Sequence, residues 1–190
     1  MNLSNRFMKA AAFLFIATAA FLLSGCTTQA NIRHTEMKST GAVKNAGIFV
    51  REAKDERPDA ALKVIGGVYN GYDIRMGDIK QPDDLLENLR LVLTNRLRAI
   101  GYRIQTDETD LVLDLTLRML TCNSRTTSKC AMGLLVKLID HGEVVFEDSY
   151  DMDESKFALI VDTSCTGALN ALIDKMFEKI TKDIDLYLAS

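Results

Sequence analysis

The sequence has few of the groups that catalytic and metal sites require. It contains two histidines, His34 and His141, and no serine-nucleophile motif, phosphate-binding loop or dinucleotide fingerprint. His34 falls in a polar segment and His141 in a turn, so neither is placed as the base that a nucleophilic cysteine needs. The cysteine spacing does not match the close pairs of zinc sites. We therefore expect a protein that is not an enzyme and that holds no metal or cofactor.

The sequence also lacks an apolar run long enough to cross a bilayer. The longest run, Ala10 to Leu23, has 14 residues and is interrupted by Thr18, whereas a spanning helix needs about 20 residues. Arg6 and Lys9 precede this run. A basic start followed by a short apolar run is typical of a secretory signal peptide, which we assign to residues 1–25.

Cys26 indicates which kind of signal peptide this is. It directly follows Leu23-Ser24-Gly25, which together with the cysteine is the processing signature of a bacterial lipoprotein. We expect the Cys26 thiol to carry a diacylglyceryl group, and two or more acyl chains make membrane anchoring stable. Thr27 follows rather than an aspartate, which favours the outer membrane with the protein facing the periplasm. The alternative is a plain secreted protein with a chance cysteine.

The mature chain has no excess of basic residues. The leader holds two of the 23 basic residues and none of the 26 acidic ones, which leaves 21 basic and 26 acidic residues and a net charge of −5. An acidic chain without a basic stripe argues against nucleic acid as a partner. It also argues against attachment to lipid headgroups through basic residues. We expect contact with the membrane through the acyl chains on Cys26 alone.

The composition divides the mature chain into a tether and one domain. Residues 26–45 comprise the lipidated cysteine and a polar segment without apolar periodicity. A flexible tether of about 19 residues reaches roughly 23 Å. Residues 46–190 are enough for a single folded domain.

Two segments carry apolar residues at helical spacing. The first begins near Pro82 and ends at Gly101, which suits a left-handed cap. The second runs from about Thr163 to Tyr187. The apolar stripes consist of Leu86, Leu89, Leu93, Leu97 and Ile100 in the first segment and Leu169, Leu172, Ile173, Met176, Ile180 and Ile184 in the second. Each stripe predicts a helix with one buried side.

The strongest strand pattern is the alternation from Leu111 to Leu120, and its partner runs from Met132 to Ile139. Matching their apolar faces sets Leu117 opposite Leu134. A returning strand, Val144 to Tyr150, follows a tight turn. Shorter strands are expected at Ile48–Val50, at Val68-Tyr69 and Tyr72–Ile74 around an Asn-Gly turn, and at Tyr102–Gln105. These elements predict an α+β fold, a mostly antiparallel sheet with two long helices packed on one face.

Three cysteines remain after lipidation, namely Cys122, Cys130 and Cys165. An exported protein can form disulfides, and Cys122 and Cys130 flank a short predicted loop, Asn123 to Lys129. The strand register sends these two side chains to opposite faces of the hairpin unless the pleat ends early or a bulge intervenes. A Cys122–Cys130 disulfide, a bridge to Cys165 and the absence of any bridge therefore all stay open.

Two groups of charged residues are candidates for binding. Asp55 and Arg57 follow the first strand of the domain, where they form either an ion pair that fixes a loop or a polar anchor for a ligand or partner. The acidic residues between Asp148 and Glu154 predict a solvated loop, because they lack the glycine and the spacing of an EF-hand calcium loop.

Several positions combine with these elements into a familiar order. They are the lipoprotein cysteine, Asp55-Glu56-Arg57, Leu97-Arg98-Ala99-Ile100-Gly101-Tyr102, the strand from Leu111 to Met119, the hairpin ending at Tyr150, and Ala168-Leu169-Asn170. In this order the sequence resembles the YajG-like outer-membrane lipoproteins of Gram-negative bacteria, over about residues 46–188. Residues 61–80 and the cysteines other than Cys26 depart from the pattern. The resemblance implies an outer-membrane location and brings no catalytic residues, since the family's molecular function is not established.

The leading functional hypothesis is a membrane-anchored, non-enzymatic interaction module of the cell envelope. Its partner would be another envelope protein or cell-wall material. The alternatives are a domain that binds or shuttles an apolar ligand such as a lipid, for which a cavity between sheet and helices is needed, and, less favoured, an enzyme.

Overall fold

The computed structural model describes residues 27–33, 41, 43–44, 46–157 and 165–190, so the signal peptide and Cys26 lie outside the described residues. The described chain forms nine strands, two α-helices and one short 3-10 helix. The strands are β1 (Thr28–Gln29), β2 (Gly47–Val50), β3 (Lys54–Asp55), β4 (Val64–Tyr69), β5 (Arg75–Lys80), β6 (Arg103–Ile104), β7 (Leu111–Ser124), β8 (Thr127–Asp140) and β9 (Glu143–Phe157). The helices are α1 (Leu85–Ala99) and α2 (Thr166–Ala189), and Ala60–Leu62 forms the 3-10 helix.

The strands form one curled, mixed sheet organised around β7. β7 pairs antiparallel with β8, which pairs antiparallel with β9. On its other side, β7 pairs in parallel with β2, β3 and β4 in turn. The α+β class with two helices is confirmed, but the prediction of a mostly antiparallel sheet is wrong. Antiparallel hairpins join neighbouring segments and are visible in the sequence, whereas parallel pairs join segments separated by long crossovers.

The first half of the β7–β8 pair has the predicted register, with Leu117 opposite Leu134. Both strands run further than predicted and replace the loop at Asn123 to Lys129, leaving a two-residue turn. A bulge separates the halves of β7, because the next pair joins Met119 to Gly133 and leaves Arg118 as an extra residue. At this bulge the β7 residues that belong to the main core cluster change from odd numbers (Leu113, Leu115, Leu117) to even ones (Leu120, Cys122).

The hairpin around Asn70 is present, but Tyr72–Ile74 is not a strand. Asn70 Oδ1 accepts hydrogen bonds from the backbone N–H of Tyr72 at 2.9 Å and of Ile74 at 3.0 Å. These bonds close a five-residue loop between β4 and β5. An asparagine side chain that bonds the following backbone favours such a turn over a strand.

Helix α1 ends as the sequence predicts, with a left-handed cap at Gly101. Gly101 has φ 104°, and its N–H donates to the Arg98 carbonyl at 3.1 Å. The Tyr102 N–H donates to the Leu97 carbonyl at 3.1 Å, which completes a Schellman motif. Helix α2 begins at Thr166 rather than Thr163, and residues 158–164 are not described.

One buried core joins both helices to one face of the sheet. Its largest fully buried side chains are Phe177, Ile48, Ile79, Leu85, Leu89, Leu93, Leu97, Leu113, Leu115, Leu117, Met132 and Leu134. Each such side chain stabilises the fold by about 1.5–3 kcal/mol relative to an exposed one. Neither helix of the described chain has the length and apolar character needed to cross a bilayer.

Part of the predicted tether docks on the domain. Residues Thr28 and Gln29 pair with β5, and Ala30 is fully buried. The backbone N–H of Arg33 donates to Asn170 Oδ1 on α2 at 2.7 Å. The polar composition of this segment hid its docking, because the backbone supplies most of the bonds and Ala30 alone is completely buried. Contacts with the domain thus reach back to Thr28, two residues after Cys26 in the sequence.

Candidate functional site

An open cleft of about 480 Å³ lies on the face of the sheet opposite the helices. It lies at the end of the sheet where β7 turns into β8. Strand alternation directs Thr121 and Asn123 to this face while Cys122, between them, points into the core. The lining residues are Tyr69, Thr121, Asn123, Arg125, Thr127, Lys129 and Ala131. We call this feature the open-face cleft.

Two cations give the open-face cleft its electrostatic character. The Arg125 guanidinium lies 5.0 Å from the centre of the Tyr69 ring and 2.8 Å from the Asp73 carboxylate. Lys129 Nζ lies 3.1 Å from the Asp153 carboxylate. All four charged side chains are more than half exposed, and such ion pairs contribute only about 0–1 kcal/mol. An anionic group on a partner can therefore compete for Arg125 and Lys129.

Asn123 holds one wall of the open-face cleft. Its Oδ1 accepts a hydrogen bond from the Gly67 N–H at 3.2 Å, which fixes β4 and so places Tyr69 over the cleft. The sequence prediction missed this site because it assigned Asn123 to Lys129 to a loop. The available signal was the alternation of polar residues with Cys122 and Cys130, which continues the strand pattern to the turn.

The three remaining cysteines converge on the buried face beneath the cleft. Cys122 and Cys130 are joined in a disulfide, and their Cα atoms are 4.1 Å apart. The sulfurs of all three cysteines lie within 4.8 Å of one another, and all three residues are buried. The Cys130 sulfur lies 3.7 Å from the Cys165 carbonyl oxygen. The structure thus brings Cys165 beside the bridge without including it.

This cysteine cluster has the spacing of a three-sulfur metal site but not its chemistry. A metal binds the thiolate form of cysteine, and two of the three sulfurs are bonded to each other. In the oxidised protein the cluster is therefore a disulfide with a third sulfur packed against it.

Asp55 and Arg57 form an ion pair in which the arginine is buried and the carboxylate is partly buried. Arg57 Nε donates to Asp55 Oδ1 at 2.9 Å, and an Arg57 terminal nitrogen donates to Asp55 Oδ2 at 2.6 Å and to Gln81 Oε1 at 2.5 Å. The Arg57 side chain is only 2% exposed. Hydrogen bonding to Arg57 lowers the pKa of the Asp55 carboxyl. This burial favours the ion pair that fixes a loop over an anchor for a ligand or partner.

The acidic residues between Asp148 and Glu154 lie in β9 and not in a loop. Asp153 pairs with Lys129 of the neighbouring strand β8, and Glu154 pairs with Lys175 of α2. Strand geometry separates alternate residues onto opposite faces, so these carboxylates do not gather around one point. They line an edge strand with negative charge, which discourages pairing with another strand.

Comparisons with known proteins identify the fold. Protein XCC0632 from Xanthomonas campestris, of family DUF330, superposes with a TM-score of 0.50 and 11% identity, over 84% of this chain and 92% of its own. The hypothetical protein CT253 from Chlamydia trachomatis gives a TM-score of 0.52 and 8% identity, over 76% of this chain and 98% of its own. At such low identity these likenesses show a shared fold and nothing further.

A lipoprotein of known structure gives a weaker superposition. Lipoprotein GNA1162 from Neisseria meningitidis superposes with a TM-score of 0.43 and 13% identity, over 72% of this chain and 99% of its own. At that score the two structures differ substantially. No family model and no curated protein matches the sequence. The resemblance to YajG-like lipoproteins therefore stays a prediction.

Proposed function

We propose that the protein is a lipid-anchored, non-enzymatic interaction module of the cell envelope. Cys26 anchors it in the outer membrane, and the domain faces the periplasm. The open-face cleft binds an envelope protein or cell-wall component that presents acidic or hydroxyl groups. The observation that carries this proposal is the pair of exposed cations, Arg125 and Lys129, in a cleft of about 480 Å³ that the helices leave uncovered.

The lining of the open-face cleft supports binding rather than catalysis. The described residues that line it supply hydroxyl groups, one amide, one aromatic ring and two cations, but no histidine, cysteine or carboxylate. Histidine is the most frequent general base, and a hydroxyl nucleophile needs an adjacent base to activate it. The same polar lining does not suit an apolar ligand, since sites for such ligands are lined mainly by hydrophobic side chains.

Crosslinking in living cells tests the proposal. A photoreactive amino acid at Thr127 probes the open-face cleft, and one at the exposed Glu178 of α2 provides the control. We expect one defined crosslinked species from position 127 and none from position 178. Reversing both charges, with Arg125→Glu and Lys129→Glu, should remove that species. The proposal fails if position 127 gives no specific product, or if the product persists in the charge-reversed protein.

A further inference from the structure

One end of the sheet carries an exposed apolar group. Tyr72, Ile74 and Met76 are 88%, 58% and 53% exposed. They lie within five residues, on the loop between β4 and β5 and at the start of β5. We call these three residues the apolar tip. Large apolar side chains clustered at one exposed point are typical of a surface that meets a partner or a membrane.

The loop holds the apolar tip in place. Besides the two bonds to Asn70 Oδ1, the Asn70 N–H donates to the Ile74 carbonyl at 3.1 Å, and the Asp73 N–H donates to the Asn70 carbonyl at 3.1 Å. Tyr72 and Ile74 are therefore presented outward by a hydrogen-bonded turn.

The charges around the apolar tip are neutralised in pairs. Arg125 pairs with Asp73 at 2.8 Å, and Arg75 pairs with Asp78 at 2.7 Å. The surface is thus apolar with no net charge from these four groups. This favours an apolar partner over a strongly charged one.

The described chain enters the fold beside the apolar tip. Thr28 pairs with Ile79, and β1 runs parallel to β5. Going from Thr28 toward the N-terminus, the direction of β1 therefore leads from Ile79 toward Met76 of β5. Two residues span at most about 7 Å, and Thr28 is about 11 Å from Met76 at ordinary strand spacing and rise. Covalent geometry thus keeps Cys26 within about 18 Å of Met76.

We propose that the apolar tip inserts into the interface of the bilayer that holds Cys26. This inference rests on the lipid anchor of the proposed function. Acyl chains on Cys26 place the start of β1 at the leaflet surface, and docking of residues 27–33 leaves no slack between anchor and domain. In the part of the chain that the structure describes, the direction of β5 leads from that point back to the tip. Apolar side chains of surface-bound proteins enter about 5–10 Å into this region. The domain then stands on the membrane by this end of the sheet.

The absence of tryptophan from the chain makes a sharp test possible. Tyr72→Trp places a fluorescent probe at the apolar tip. Val144→Trp is the control: this residue is 52% exposed and lies beside the β8–β9 turn, at the end of the sheet away from the tip. Each variant is purified in its acylated form, verified by intact mass, and reconstituted into phosphatidylcholine and phosphatidylglycerol vesicles with brominated acyl chains. Ile74→Trp provides a second tip probe.

We expect the brominated chains to quench most of the fluorescence of the two tip probes. The fluorescence of the Val144→Trp control should not be quenched. Raising the salt concentration should leave this difference unchanged. Equal quenching at both ends of the sheet, or no quenching at the tip in a protein of acylated mass, overturns the inference and leaves the lipid anchor intact. A mass without acyl chains removes the anchor, and with it both proposals.

Discussion

Cys122 lies directly opposite Cys130 in the β7–β8 hairpin, with 4.1 Å between their Cα atoms. The regular alternation of β7 would have turned Cys122 to the other face. The bulge at Arg118 adds one residue to β7 and shifts the phase, so both side chains point into the core. A single extra residue in a strand therefore decides that this disulfide can form.

Removing the disulfide should destabilise the domain moderately. For Cys122→Ala with Cys130→Ala we expect a loss of about 2 kcal/mol in the free energy of unfolding, since the bridge closes only a short loop. Urea unfolding measures this value. In the unfolded Cys26→Ser chain, a thiol reagent should label one cysteine without reductant and three after reduction. Labelling of all three without reductant would show that the bridge does not form.

Gly66 should tolerate no side chain. A Cβ atom at this position would lie 1.5 Å from the Cys122 carbonyl oxygen, and that oxygen belongs to the backbone of the central strand. We expect Gly66→Ala to separate β4 from β7 and to lower the melting temperature strongly. Gly71→Ala is the control, because a Cβ there meets nothing within 4 Å. Similar melting temperatures for the two variants would contradict the close packing of β4 on β7.

Arg57→Ala should cost about 3 kcal/mol of stability at neutral pH, because it leaves the Asp55 carboxylate partly buried without its partner. Arg90→Ala is the control. It breaks an exposed pair with Glu87, and such pairs contribute about 0.5 kcal/mol. Urea unfolding of both variants at pH 7 gives the comparison. An equal loss for both would contradict the structural role of the buried pair.

The Asp55–Arg57 pair should also affect how the free energy of unfolding changes at acidic pH. Arg57 lowers the pKa of Asp55 in the folded state, below the unfolded value of about 3.9. The pair therefore makes its full contribution to stability when the pH is above the pKa of Asp55 in the unfolded chain. That contribution is lost as the pH falls through the lower pKa of Asp55 in the folded protein. The gap in unfolding free energy between the native chain and Arg57→Ala should narrow when urea unfolding is repeated near pH 3. A constant gap would contradict this assignment.

Ala30 should respond to substitution as a core residue. We expect Ala30→Leu to cost about 2 kcal/mol, because added methylenes overpack a filled site. Asn31→Leu, at an exposed neighbouring position, is the control and should change little. Thermal unfolding compares the two. If both substitutions are silent, residues 27–33 behave as a tether and the orientation proposed for the domain loses its basis.

Tyr150 should act as a neutral hydrogen-bond donor between β9 and α2. Its hydroxyl donates to Asp183 Oδ2 at 3.1 Å, and burial together with Asp183 raises its pKa. Tyr150→Phe should therefore cost about 1.5 kcal/mol at any pH between 6 and about 10, measured by urea unfolding. Tyr72→Phe, at an exposed position, should cost nothing. A loss that disappears within this pH range would show that the phenol ionises there.

Local patterns predicted much of the fold. The stripe from Leu86 to Ile100 predicted α1, and Gly101 predicted its end. The alternation around Leu117 predicted the register with Leu134. These features depend on neighbours in sequence, and a period of 3.6 or 2 residues is visible before any tertiary contact is known. The bulge at Arg118 was indicated only weakly by the sequence. The one sign of it was that the predicted register sent Cys122 and Cys130 to opposite faces of the hairpin.

The sequence by itself determined the lipoprotein signature at Cys26, the two helices and the central hairpin, because adjacent residues encode each of them. Tertiary structure alone decided the parallel pairing of β2, β3 and β4 with β7, the docking of Ala30 and the open-face cleft. Each of these brings together segments that are far apart in the chain. Their contacts are made mainly by backbone groups, and backbone groups are the same in every sequence.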